Sequence, residues 1–145
     1  AGMDYVADRL GLAPIRVYEV ATFYSMYKLK PIGKVHVQVC TTTPCWLRGS
    51  DEVVGTCKDV LGIGMGETTE DGKFSLAEVE CLGACVNAPL IQVGDDYYED
   101  LDAASTKALL EAFKRGDEVK PGPQVDRQTS APVGGAKALT HVEQG

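Results

Sequence analysis

The sequence predicts an α/β fold: a mixed sheet flanked by helices, with a helical appendage before it and a flexible tail after it. Three observations predict this. Residues 1–33 carry two helical patterns, residues 34–116 alternate strand and helix signals, and from Asp117 the composition turns to Pro, Gly, Gln, Ser and Thr.

The appendage comes first. Met3, Val6, Ala7 and Leu10 recur at three- and four-residue steps, and Gly11 stops the pattern. Pro14 suits the first turn of a second helix. Ile15, Val17, Tyr18, Ala21, Phe23, Tyr24 and Met26 make that helix apolar around much of its circumference, as expected of a helix that is buried or packs on a neighbouring protein. Pro31 and Gly33 end it. Because a helical pattern is already under way at Ala1, the chain reads as processed or truncated, with helical sequence upstream.

The domain at 34–116 opens on a strand. Residues 34–40 alternate, with Val35, Val37 and Val39 on one face and His36 and Gln38 on the other. A loop is expected over 41–49, then a helix capped by Ser50, with Asp51 and Glu52 at its positive end and Val53, Val54, Cys57, Val60 and Leu61 on its apolar face. Residues 74–80 read as extended, and 89–93 with 96–99 read as a hairpin about Gly94-Asp95. Asp102 can cap a last helix, which Gly116 stops. A strand-helix-strand crossover implies a parallel pair, to which the hairpin adds antiparallel strands, so a thioredoxin-like sheet is the architecture expected. The tail, 117–145, buries too little to fold alone and is either disordered or laid over a partner.

The chain has 145 residues and a net charge of −7. An acidic surface disfavours nucleic acid, and no apolar run reaches the roughly 20 residues of a membrane span. The helical pair at the start can be drawn as a helix-turn-helix, but its second helix carries Arg16 and Glu19 with no basic row, so packing or docking is the reading taken. His36 and the acids Glu67, Glu70, Asp71, Glu78 and Glu80 read as solvated surface. His141, in the tail, suggests nothing.

The chemistry lies in the cysteines. The pattern is Cys40-x4-Cys45, then 35 residues, then Cys81-x3-Cys85. Each pair follows a predicted strand, and two parallel strands bring both loops to one edge of the sheet. Thiolates are soft donors that suit iron. Thr41, Thr42 and Thr43 offer hydroxyl and backbone donors, Gly83 and Ala84 let amides approach sulfur, and Trp46, Leu47, Leu82 and Val86 can shield the site, with Arg48 near it. On spacing alone a structural zinc site stays open, as does a disulfide with spare thiols; the Cys-x-x-Cys of a thioredoxin-type enzyme is not present. Cys57 lies on an apolar helix stripe and reads as a buried structural thiol. No catalytic residue is assigned, because no Ser–His–Asp or Cys–His arrangement can be argued.

Three stretches resemble one family: Arg16-Val17-Tyr18-Glu19-Val20-Ala21-Thr22-Phe23-Tyr24, Cys40-Thr41-Thr42-Thr43-Pro44-Cys45, and Glu80-Cys81-Leu82-Gly83-Ala84-Cys85-Val86-Asn87-Ala88-Pro89. They are similar to signatures of the thioredoxin-like [2Fe-2S] subunit of NADH:quinone oxidoreductase, respiratory complex I. The resemblance implies a thioredoxin-like [2Fe-2S] ferredoxin fold and one binuclear cluster, with Cys40 and Cys45 on one iron and Cys81 and Cys85 on the other. It implies an electron-transfer subunit that exchanges one electron with the flavin mononucleotide of a neighbouring flavoprotein subunit, which also binds NADH. The other partners implied are peripheral-arm subunits of the complex. The implied place is the cytoplasmic face of a bacterial inner membrane or the mitochondrial matrix, without membrane insertion. The homologous small subunit of an NAD-linked hydrogenase or formate dehydrogenase shares this chemistry and differs in its neighbours. A zinc-stabilised binding module is the reading from another class.

Overall fold

The computed structural model describes residues 2–135 and 138. His141 and the end of the predicted tail lie outside the described residues. The chain divides into two compact units, one up to residue 32 and one from residue 33 onward.

In the first unit α1 (Gly2–Leu10) and α2 (Pro14–Phe23) pack on each other. Gly11 takes a left-handed φ of 64°, and the Leu12 amide donates to the Ala7 carbonyl at 2.9 Å, closing α1. Pro14 begins α2, where a missing N–H costs nothing. The apolar girth of α2 is not buried within the described residues: none of its side chains is, and Ile15, Val20 and Phe23 stand exposed. The helix also stops at Phe23, ahead of the Pro31-Gly33 stop expected from sequence.

The second unit holds a five-stranded sheet in the order β2-β1-β3-β4-β5. β1 is Val35–Cys40 and β2 is Phe74–Val79, and they pair in parallel from Val35 against Phe74 to Cys40 against Val79. β3 (Ile91–Val93) runs antiparallel to β1, and β4 (Asp96–Glu99) antiparallel to β3, closing the expected hairpin. Gly33 starts this unit because nothing larger fits: a Cβ there would stand 2.6 Å from the Phe74 carbonyl carbon.

Helix α4 (Ser50–Leu61) and helix α5 (Ala103–Arg115) pack side by side. With one face of the sheet they enclose the core: Val37 and Val39 of β1, Val53, Cys57 and Leu61 of α4, Phe74 and Leu76 of β2, Ile91, Tyr98, Leu109 and Leu110. Period-two alternation in β1 is therefore real, since Val37 and Val39 are fully buried on this side. Burial pushes the Cys57 thiol up to about 12, which leaves it inert and apolar, as its place on the helix stripe suggested.

Three local expectations are corrected. The loop drawn over 41–49 contains a short helix, α3 (Thr43–Leu47), which Pro44 favours at its start. Ser50 does not cap α4; Gly49, at a φ of 97°, does, and Ser50 is buried inside the first turn. Among the described residues, the segment just after residue 116 does not trail away from the domain. Gly122–Pro123 form β5, parallel to β4, and Arg127 makes an ion pair with Asp100 at 2.8 Å. Its few polar bonds do what apolar burial would otherwise have to do, and composition does not reveal them.

Asp102 caps α5 as expected, accepting from the Ser105 amide while the Ser105 hydroxyl accepts from the Asp102 amide. The Ser105 N–H holds this carboxyl below its ordinary value, helped by the Ser105 hydroxyl. A carboxyl lowered in the folded state stabilises above its unfolded pKa and loses that contribution as pH falls through the folded value. Asp102→Ala is therefore expected to cost about 1 kcal/mol by urea denaturation near neutral pH. The gap between variant and wild type should shrink in acid, below the ordinary carboxylate range. Leu110→Ala, in the fully buried core, is expected to cost about 2–5 kcal/mol in the same assay.

Candidate metal centre

The parallel pairing of β1 and β2 decides where the cysteines go. Cys40 is the last residue of β1, opposite Val79, and Cys81 follows two residues beyond Val79. Both chains leave the sheet at the same edge. α3 then carries Cys45 back beneath the end of β1, and a 3-10 turn, Cys85–Asn87, presents Cys85.

Cys40 and Cys45 are buried with Ala88 and Leu90, and Leu82, Ala84 and Tyr97 pack against them. Cys81 and Cys85 are exposed, with their sulfurs 3.5 Å apart. The two pairs also sense each other: the charge of Cys40 raises the pKa of Cys85, and Cys85 adds to the rise at Cys45. The fifth cysteine, Cys57, lies in the other core cluster.

Each pair splits into one easily ionised thiol and one reluctant thiol. Burial pushes Cys40 up, but the Thr42 hydroxyl at 3.4 Å, the Leu82 amide and the Cys45 thiol donate to it, and its pKa falls below the ordinary thiol value. Cys45 is pushed up to about 12, first by burial and then by its bond to Cys40 and that neighbour's charge. The Gly83 amide, 3.4 Å from the Cys81 sulfur, lowers Cys81, and Cys81 in turn raises Cys85. Two neighbouring thiolates without a cation repel, which disfavours loss of the second proton in each pair and lets a bound cation promote it.

The donor set fits a binuclear iron–sulfur core. It is all thiolate, it comes as two pairs, and N–H and O–H donors already point at sulfur. Among the described residues no group of three or more His, Cys, Asp or Glu side chains is placed to hold one metal ion. A binuclear core needs two ligands at each iron, and that is the grouping the two pairs provide.

Several supporting residues stand where the sequence put them. Thr42 bonds Cys40, and Gly83, at a φ of 84°, brings its amide to Cys81. Thr41 instead donates to the Glu78 carboxylate, and Thr43 begins α3. Of the four expected shielding residues only Leu82 packs at the site. Trp46, Leu47 and Val86 are 57%, 71% and 68% exposed, and Arg48 is exposed too. On a helix as short as α3, the residues next to a buried Cys45 turn outward by about 100° per step. Tyr97 was missed: its hydroxyl donates to the Leu82 carbonyl at 2.9 Å and pins the loop between Cys81 and Cys85. Its only sequence signal was a polar-tipped aromatic on the hairpin face opposite Tyr98.

A protein from Rickettsia bellii (strain RML369-C), named as a subunit of NADH-quinone oxidoreductase, is 59% identical over 77% of this chain and 67% of its own length. The mitochondrial NADH dehydrogenase [ubiquinone] flavoprotein 2 of Dictyostelium discoideum is 57% identical over 88% of this chain and 52% of its own. The chain thus spans about two thirds of the first relative and about half of the second. Among solved structures, an NAD+-reducing [NiFe]-hydrogenase in the H2-reduced state shares the fold, with a TM-score of 0.70 at 19% identity over 81% of this chain and 20% of that one. The model of the family described as thioredoxin-like [2Fe-2S] ferredoxin matches residues 1–114. Matched from its first residue through nearly all of its last long helix, the chain belongs to the thioredoxin-like [2Fe-2S] ferredoxin family.

Proposed function

We propose that the chain is an electron-transfer subunit that holds one [2Fe-2S] cluster on Cys40, Cys45, Cys81 and Cys85. The observation that carries this is the pairing of the thiols: two pairs, at one edge of the sheet, each with an amide or hydroxyl already aimed at sulfur. Cys40 and Cys45 bind one iron, and Cys81 and Cys85 the other. When bound, such a cluster supplies one electron at a time at a potential set by its surroundings.

The residues of this chain do the rest. The Thr42 hydroxyl and the Leu82 and Gly83 amides offset negative charge on sulfur. Leu82 and Tyr97, with Ala88 and Leu90, keep water from the Cys40–Cys45 side. The Cys81–Cys85 side is open, and electrons enter and leave there.

The relatives bear on the partner. Their names support placing this chain in NADH:quinone oxidoreductase, and the motif resemblance favours a place beside the subunit that oxidises NADH on flavin mononucleotide. The cluster then takes one electron from the reduced flavin, as a peripheral subunit in contact with other subunits of the arm. Among the described residues no helix is long and apolar enough to cross a membrane. Sequence identity favours this assembly over the hydrogenase, whose likeness is one of fold.

Substitution of a ligand tests the assignment. Cys45→Ser and Cys81→Ser are each expected to lose the cluster's visible absorption and its iron, whereas Cys57→Ser should keep both. Retention in Cys45→Ser with loss in Cys57→Ser would overturn the ligand set. Freeze-quench electron paramagnetic resonance of the assembled complex after NADH tests the partner. A signal from this cluster within the enzyme's turnover time supports it, and a cluster that NADH never reduces counts against it.

A further inference from the structure

The turn that carries Cys85 is held from behind by a segment far along the chain. Asn87 ends that turn, is 1% exposed, and donates through Nδ2 to Glu99 Oε2 at 2.9 Å and to the Thr129 carbonyl at 3.0 Å. Its main chain is tied as well: its amide donates to the Ala84 carbonyl at 3.0 Å, and its carbonyl accepts from the Asp100 amide at 2.8 Å. Asp100 then pairs with Arg127 at 2.8 Å, with only 8% and 7% of the two side chains exposed. Arg127 Nε donates to the Ala131 carbonyl at 2.8 Å, so the guanidinium also closes the strap on itself.

Residues 122–131 thus form a strap. β5 lies along β4, the Gln124 amide donates to the Glu99 carbonyl at 2.9 Å, and the polar ends converge on Asn87, Glu99 and Asp100. Among the described residues, Asp100 and Thr129 are the two non-glycine residues at positive φ, 54° and 47°. Such backbone is unfavourable and persists where surrounding bonds hold it. Both residues sit in this network, one on each side of Asn87.

We propose that Asn87 and Arg127 are positioning residues for the cluster, through which the strap fixes the turn bearing Cys85. The inference rests on the reading of the four cysteines as cluster ligands. Cys85 is an exposed ligand on a short turn, and an exposed turn loses order easily. Groups outside the ligand set that orient the ligands govern how tightly a metal is held. Here those bonds reach the turn and the end of β4 rather than the core between the sheet and its helices. Loss of Arg127 strands a buried Asp100 carboxylate beside the carbonyl that anchors the turn.

The test compares Arg127→Met, Asn87→Leu and the conservative Arg127→Lys with Phe113→Leu, a core change on α5 against Tyr98. In the loaded full-length chain the readouts are the rate of iron loss to a chelator and the g-values of the reduced cluster. In the apo chain the readout is hydrogen exchange at the Asn87 and Asp100 amides. Arg127→Met and Asn87→Leu are expected to release iron about 10–100-fold faster, with shifted g-values and faster exchange at both amides. Arg127→Lys should fall between them and wild type, and Phe113→Leu should move none of the three even where it lowers the melting temperature. If Arg127→Met does not fold, Asn87→Leu and Arg127→Lys carry the same comparison. Equal iron release and unchanged amide exchange in Asn87→Leu and wild type would overturn the proposal, as would Phe113→Leu matching the strap variants. A wild-type chain that takes up no cluster overturns the ligand assignment and this proposal with it. Faster exchange in the strap variants would then still show that the strap orders the turn.

Discussion

The parallel pairing of β1 with β2 is the constraint on which the site depends. Parallel strands point their ends the same way, so whatever follows Cys40 and Val79 must emerge at one edge. A crossover helix is required to return the chain for a parallel partner, and α4 fills that role while covering the sheet. A slip of one residue in this register would exchange the faces of Val37 and Val39 with those of His36 and Gln38. Core packing therefore sets the position of Cys40 and, through it, the distance between the two cysteine loops. The site is as rigid as the sheet on one side and only as rigid as its loops on the other.

That asymmetry shows in the thiols. The pair on the sheet side, Cys40 and Cys45, is buried, and burial makes the second proton hard to remove, with Cys45 pushed up to about 12. The loop-side pair is exposed and leans on single bonds, such as the Gly83 amide to Cys81. In both pairs the fold's own donors lower one thiol, Cys40 or Cys81, and the other, Cys45 or Cys85, is raised. Ionising both thiols of a pair is costly without a cation, and the iron of the proposed cluster would remove that cost. Trp46 and Leu47, next to Cys45 on α3, and Val86, next to Cys85, stand exposed and leave apolar surface near both cysteine loops.

Much of this was legible in the residues. Valine alternation announced β1, the Gly94-Asp95 turn announced the hairpin, and Asp102 announced the start of α5. These are local signals, written in residues adjacent in sequence. The placing of the two cysteine loops at one edge was legible too, because each pair follows a strand and the two strands run parallel. What escaped was long-range and polar. Tyr97 reaches Leu82, Asn87 reaches Thr129, and Arg127 reaches Asp100, and no periodicity marks any of them. The tail read as disordered or laid over a partner because composition counts apolar surface, whereas its described residues 122–127 are held by an ion pair and a short ladder to β4. α3 escaped for the opposite reason: five residues are too few for a periodic pattern to show.

The central claim is that the four converging thiols hold a binuclear iron–sulfur cluster. It is tested most directly by iron, acid-labile sulfide and zinc analysis of the anaerobically purified chain, with its visible absorption before and after dithionite. About two irons and two sulfides per chain, with bands that bleach on reduction, is the result the account predicts. A colourless chain that keeps zinc, and takes up no cluster on reconstitution, would contradict it.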